Sequence, residues 1–257
     1  KARGFTPFID MLRANMQYHV MGLFRLWWIP KGKTAADGAY VHYPFDELMA
    51  ILAIESVRNE CLIIGEDLGT VPDEVRWKLN EFQIFSYFVL YFAQRNGEFP
   101  RISDYPRNAY ATIGTHDVPS LQSFWHCRDL ELFNQLGILN GEVLKQKYDQ
   151  RVMDKQALLN SLHRDNYLPP HYEGDALSMA MHDYLNRMIH YYLAESNSRL
   201  IGVQLENLLS QEISSNLPGT SNEYPNWCKK LAQPLAFIFS NEALKTFFVQ
   251  INQGRNV

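Results

Sequence analysis

Two apolar runs of this chain end in acids. "CLIIGEDLG" (61–69) passes from β-branched residues through Gly65 to Glu66 and Asp67, and "AYATIGTHD" (109–117) ends in His116 and Asp117. A strand buried along its length has no use for adjacent carboxylates, because an unpaired charge in a core is costly. A strand tip that has just left the core and faces a ligand does. Two more runs, "FSYFVLYF" (85–92) and "LIGVQLENLL" (200–209), read as strands, the second half of the latter also reading as a helix start. Between them, "PFDELMAILAIESVRNE" (44–60) and "DEVRWKLNEF" (73–82) carry helical spacing with acids in the first turn. Strands that alternate with helices argue for a parallel sheet, since parallel neighbours need crossover connections. In a (β/α)8 TIM-type barrel the chemistry sits at the C-terminal ends of the strands. The acid-tipped strands therefore point to an α/β barrel, and the visible strands are about half of what closure needs.

The stretch 120–166 is longer and mostly helical, and reads as an insertion into a barrel formed by residues 1–119 and 167–257. Near the end, "PNWCKKLAQPLAFIF" (225–239) reads as a helix kinked or broken at Pro234, followed by a helix in "NEALKTFFVQIN" (241–252).

Composition narrows the function. At 257 residues and 46% hydrophobic, the chain has apolar material for one large core or two modest ones. A net charge of −4 leaves no basic footprint for nucleic acid, and the apolar runs are too short to span a bilayer. Three cysteines without a CxxC pair fit reduced thiols in a cytoplasmic protein better than a disulfide framework. The opening "KARGF" shows no signal-peptide pattern and reads as the middle of a longer protein. His126-Cys127 has no second pair at ligand spacing, so no metal site is expected.

Each acid also has an ordinary reading. Glu66 and Asp67 could cap a helix starting near Val71-Pro72, and Asp117 could cap one starting at Val118-Pro119. Two strand tips both ending in acids favour chemistry, because a pair of carboxylates flanking one bond is what glycosidic cleavage needs. Aromatic residues around glycines and prolines, Trp27, Trp28, Tyr40 and Tyr43, offer faces on which sugars stack, or simply pack in a core or rim.

Six motifs in order, "LRANMQ" (12–17), "LWWIP" (26–30), "GAYVHYP" (38–44), "IGEDLGTVP" (64–72), "THDVPSL" (115–121) and "LPGTSNEYPNW" (217–227), resemble the C-terminal half of the 4-α-glucanotransferases called amylomaltases or disproportionating enzymes. The resemblance implies a (β/α)8 barrel acting on α-1,4-glucans (maltooligosaccharides, starch or glycogen fragments) by a retaining double displacement without metal or organic cofactor. It makes Glu66 the general acid/base and Asp117 the transition-state stabiliser, with His116 donating to the sugar. Asp67, Trp28, Tyr40 and Asn226 complete the expected substrate-binding set. One departure is serious. The family's nucleophile is the Asp of an "R-I-D-H" strand end, yet the interval here reads "LRANMQYHVMGLFRLWWIP", with Tyr18 before His19 and the segment too short for the family pattern. Two rivals follow: an α-amylase-like hydrolase, told apart by its products, and a non-catalytic glucan-binding fragment lacking the nucleophile.

Overall fold

The computed structural model describes residues 14–17, 19–172, 175–212 and 214–255. The chain divides into two compact units, Lys1–Phe88 with Asn108–Tyr110, and Val89–Arg107 with Ala111–Val257. Its strands are β1 (Ala14–Gln17), β2 (Arg25–Trp28), β3 (Ala39–His42), β4 (Leu62–Gly65), β5 (Phe85–Val89), β6 (Ala109–Thr112) and β7 (Leu200–Ile201). Five of them form one sheet in the order β1-β4-β5-β6-β7, while β2 and β3 pair separately.

In the first unit β1 runs parallel to β4 with Gln17 opposite Gly65, and β4 runs parallel to β5 with Ile64 opposite Phe85. The helix Asp73–Glu81 makes the crossover from β4 to β5, and its Val75 and Leu79 are buried one turn apart. The helix Phe45–Arg58 has Asp46 and Glu47 in its first turn and Arg58 in its last, the charge order that its dipole favours. Phe45, Met49, Val75 and Leu79 meet Val20, Ile63 and Ile84 in one core cluster. Gly65 ends β4 because a Cβ there would lie 3.3 Å from Leu79 and 3.4 Å from Ile84. Small size, not unusual backbone, is what this position requires.

In the second unit, Arg199 N–H bonds Arg107 O and Gly202 N–H bonds Ala111 O, so the two segments advance together as parallel neighbours do. Residues 120–166 hold the helices Leu121–Trp125, Arg128–Gln135 and Gly141–Arg164. The long helix is fixed by Arg151, whose guanidinium makes two hydrogen bonds to Asp129 (2.9 and 2.7 Å) and one to Phe124 O (2.7 Å). It also lies 4.1 Å from the Phe124 ring, which stacks on Tyr91 at 4.5 Å.

Several sequence expectations need correction. The run 85–92 is a strand only to Val89 and then a 3-10 turn, Leu90–Phe92. The helix after "THD" starts at Leu121, not Val118, because Ser120 supplies the cap by accepting from Ser123 N. Residues 225–233 are not helical, and the helix Leu235–Ser240 begins after Pro234, whose missing N–H costs nothing at a helix start. Trp227, at φ 61°, interrupts any helix through 225–233. In 200–209 the two readings both hold: the strand is Leu200–Ile201, and a helix, Leu205–Leu208, takes the second half as expected.

Two stability predictions follow from the second unit. Asp129→Ala leaves Arg151 buried without its anion and should cost about 3–5 kcal/mol in urea unfolding, whereas combining Asp129→Leu with Arg151→Met costs far less. The second concerns His190, which is buried, donates Nδ1–H to Asn186 O at 2.8 Å, and has no partner for Nε2 among the described residues. Burial lowers its pKa from 6.5 to about 4, so below pH 6.5 the unfolded chain takes up a proton that the folded chain refuses. Stability is complete above pH 6.5 and falls by on the order of 3 kcal/mol as pH drops to 4. His190→Leu should flatten that decline; an unchanged decline would assign it to other groups.

Candidate active site

In the first unit, Glu66 and Asp67 follow β4 directly, and successive residues of an extended chain face opposite ways. Asp67 turns inward, 2% exposed. Its Oδ1 accepts from Tyr87 N at 2.9 Å on β5, and its Oδ2 from Arg76 Nη1 at 2.9 Å on the crossover helix. Burial raises its carboxyl above the usual range, while the Tyr87 N–H, Arg76 and Ser86 pull it back down. Both oxygens are thus engaged by protein.

Glu66 faces the other way. Its Oε2 accepts from His19 N at 3.0 Å and lies 2.9 Å from His19 Nδ1, and its Oε1 accepts from Leu68 N at 3.0 Å. Val20 N–H also bonds Glu66 O at 3.0 Å, so the segment after His19 is docked on the end of β4. Neither acid caps the helix Asp73–Glu81, which starts at Pro72 without a side-chain cap.

The predicted aromatic residues lie on the β2–β3 hairpin, in which Trp27 pairs with Tyr40 and Trp28 with Ala39. Trp28 and Tyr40 therefore occupy opposite faces of the ribbon. Tyr40 meets Trp27 edge-on at 4.8 Å and carries the Arg25 guanidinium 4.2 Å from its ring. Trp28 is half-exposed on the other face and donates Nε1–H to Tyr43 Oη at 3.1 Å. Gly38 is obligatory beside them, because a Cβ there would lie 2.3 Å from Trp27 Nε1.

In the second unit the strand β6 leads through Gly114 into "THD". A Cβ on Gly114 would lie 2.9 Å from Val118 and 3.1 Å from Tyr91, so only glycine lets the chain pass here. Asp117 is presented outward with its side chain 47% exposed, its N–H bonded to Thr115 Oγ1 at 3.1 Å and its Oδ1 accepting from Asn216 Nδ2 at 2.6 Å. His116 Nε2 lies 3.4 Å from Asp117 Oδ1, and the His116 ring sits 5.0 Å from the Trp227 ring. Asn226 pins its own loop: Oδ1 accepts from Leu217 N at 2.8 Å and Nδ2 donates to Thr220 Oγ1 at 2.9 Å.

The sequence reading missed three residues: His19 as a partner of Glu66, Asn216 as a partner of Asp117, and Trp227 beside His116. Trp227 is 64% exposed at a φ of 61°, a conformation that bulky residues rarely adopt. Its only sequence signal is the "NW" that closes the Pro/Gly/Asn-rich loop. His126-Cys127 is a surface pair, with His126 Nδ1 2.5 Å from Glu212 Oε1. Among the described residues no group of three or more His, Cys, Asp or Glu could hold a metal ion.

A 4-alpha-glucanotransferase from Haemophilus influenzae is 96% identical over 264 residues, covering 100% of this chain and 38% of that protein. The aligned stretch of 264 positions exceeds the 257 residues of the chain, so at least seven positions of it have no residue here. A 4-alpha-glucanotransferase from Mycobacterium tuberculosis is 30% identical over 242 residues, covering 90% of the chain and 32% of that protein. The chain thus spans about a third of the length of these relatives. The crystal structure of amylomaltase from Corynebacterium glutamicum superposes with a TM-score of 0.84 at 25% identity, covering 94% of the chain and 35% of that structure. The parallel strands and crossover helices are accordingly part of a (β/α)8 barrel. The family profile described as 4-alpha-glucanotransferase matches residues 1–235, and the chain belongs to that family.

Proposed function

We propose that the protein carrying this chain is a 4-α-glucanotransferase that moves α-1,4-glucan segments between maltooligosaccharides by a retaining double displacement. Glu66 is the general acid/base: it protonates the leaving glycosidic oxygen and then accepts the proton of the incoming 4-hydroxyl. Two backbone N–H groups hold its carboxylate at the end of β4, so its aim is set by the strand and not by a flexible side chain. Asp117, held through Oδ1 by Asn216, keeps Oδ2 without a protein partner among the described residues and stabilises positive charge at the sugar ring. His116 donates to the sugar beside it, and Trp227 supplies an apolar face. Asp67 acts as the clamp that orients Glu66, Asn226 shapes its loop, and Trp28 and Tyr40 offer stacking surfaces on opposite faces of the hairpin, Trp28 the more open of the two. Residues 1–119 and 167–257 belong to the barrel, with 120–166 inserted in it. The three free cysteines support a cytoplasmic location.

One observation carries the reading. His19 N–H is 3.0 Å from Glu66 Oε2, so the segment that begins at His19 starts on the Glu66 carboxylate. The family's nucleophile is the Asp directly before this His, and a retaining mechanism needs its two carboxyl groups about 5–5.5 Å apart. The seven positions that the Haemophilus influenzae relative has and this chain lacks give room for a segment ending in that Asp. We place them immediately before His19. Transfer instead of hydrolysis then requires that an acceptor sugar, not water, meets the covalent intermediate.

The test is a full-length protein with and without the relative's extra segment before His19. With it, maltotriose should yield glucose and a ladder of longer oligosaccharides with little gain in reducing ends, and without it nothing. A steady rise in reducing ends with no longer products would make the protein a hydrolase. Binding of maltotriose without turnover in both forms would make it a glucan-binding module.

A second prediction isolates Glu66. Glu66→Gln keeps the size but replaces one of the two accepting oxygens with an NH2 that faces an N–H donor, so unfolding should shift by only about 1–3 kcal/mol, while turnover falls ~10²–10⁴-fold. Near-normal turnover would reduce Glu66 to a structural ligand of His19 and Leu68.

A further inference from the structure

The loop that presents Asp117 is tied, nearly residue by residue, to the segment that follows β7. Gln204 Nε2 donates to Thr115 O at 3.3 Å, where the loop begins. Asn207 Oδ1 accepts from Leu121 N at 2.7 Å, where the loop ends. Between these ends Ser120 Oγ donates to Gln211 O, and Asn216 Nδ2 donates to Asp117 Oδ1. Gln204 and Asn207 are themselves joined, Asn207 Nδ2 donating to Gln204 Oε1 at 3.2 Å. Asn207 is 1% exposed, and its backbone O accepts from Asn186 Nδ2 at 2.9 Å, which anchors the pair to the helix Asp183–Ala194.

We infer that Gln204 is a positioning residue for Asp117. The path has two steps. Gln204 fixes the carbonyl of Thr115, and the Thr115 hydroxyl accepts the Asp117 N–H. Without the amide donor the Thr115 carbonyl keeps only the long Val118 N–H bond at 3.4 Å from within its own loop, and among the described residues nothing outside the loop holds the peptide that sets the aim of Asp117. Asn207 holds the far end of the same loop but is buried, so its loss would unsettle the fold as well. Gln204 is only half-buried, and its removal leaves the buried anchor in place. Misplacing a charge-stabilising group by about 1 Å costs on the order of 10²-fold in rate, whereas substrate binding elsewhere along the glucan is untouched.

This inference rests on the role of Asp117 proposed above, and the experiment separates the two. In the full-length protein with the extra segment, Gln204→Ala and Gln204→Glu are compared with wild type on maltotriose and on α-glucosyl fluoride. Gln204→Glu keeps the size and the bond from Asn207, removes the donor and sets a carboxylate oxygen against the Thr115 carbonyl, so it serves if the alanine variant folds poorly. Fluoride leaves with little help from an acid, so a Glu66→Gln variant should recover on it. The Gln204 variants should not, because a stabiliser of the sugar cation is needed whatever leaves. Expected is a kcat lowered ~10–100-fold on both donors, with KM and unfolding midpoint unchanged. Wild-type kcat, recovery on fluoride, or a loss that follows a fallen midpoint would each overturn the positioning role. A wild type that releases fluoride but builds no longer glucans overturns the transferase reading alone, since the kcat comparison on fluoride still stands. A wild type inert on both donors removes the role of Asp117 and this inference with it.

Discussion

The buried carboxylate of Asp67 is the interaction on which the Glu66 end of the sheet depends. Taking a charged group out of water is costly, and burial alone would drive Asp67 toward its neutral form. Three things oppose that cost: the Tyr87 N–H from the neighbouring strand, the Arg76 guanidinium from the crossover helix, and the Ser86 side chain. Because these partners come from β5 and from the helix between β4 and β5, one side chain locks a whole β-α-β unit at its C-terminal edge. The adjacent position then faces the opposite way by the alternation of extended chain. Two acids in a row are thus not redundant. One is a clamp held by protein on both oxygens, and the other is held by two N–H groups at the strand's end.

The second unit solves the same problem by other means. Asp117 is exposed and has no buried twin; its loop takes its shape from the chain that follows β7. Beneath it, Gly114 passes under Tyr91, Tyr91 stacks on Phe124, and Arg151 covers Phe124 while paired to Asp129. A long helix far from Asp117 in sequence thereby sets the floor of its loop. Strain enters at Trp227, whose positive φ is maintained by its N–H bond to Ser215 O at 2.8 Å and by the Asn226 side chain next to it.

Much of this is legible in the sequence. The helix Phe45–Arg58 announces itself by spacing and end charges, and β4 and β6 by apolar runs that stop at glycine. What is not legible has physical reasons. Ala14–Gln17 forms β1 with no β-branched residue at all, because pairing along β4, not intrinsic preference, decides its state. The hairpin of β2 and β3 carries a long connection, residues 29–38, with a 3-10 turn at Ala35–Asp37, and so lacks the two-residue turn signature that betrays hairpins. The roles of His19, Asn216 and Gln204 rest on contacts from 47 to 99 positions away, which no local pattern records. Tyr18 and the residues before Ala14 lie outside the described residues.

Under the proposed function, the hairpin also limits how a glucan is held. Trp28 and Tyr40 read in the sequence as one aromatic surface, yet their register puts them on opposite faces, and a single glucan strand can stack on one face only. On Tyr40's face the ring already has Trp27 against its edge and Arg25 over it, so a sugar would have to displace a cation that the ring's own quadrupole favours. On the other face Trp28 is half-exposed, with its indole N–H satisfied by Tyr43. Gly38 reinforces the asymmetry: it lets the chain press against Trp27 and holds that ring in the edge-on pair with Tyr40. Trp28 with Tyr43 is therefore the more open face of the ribbon, the one the proposed function assigns to an acceptor sugar, and Trp27 with Tyr40 is the face closed by its own packing.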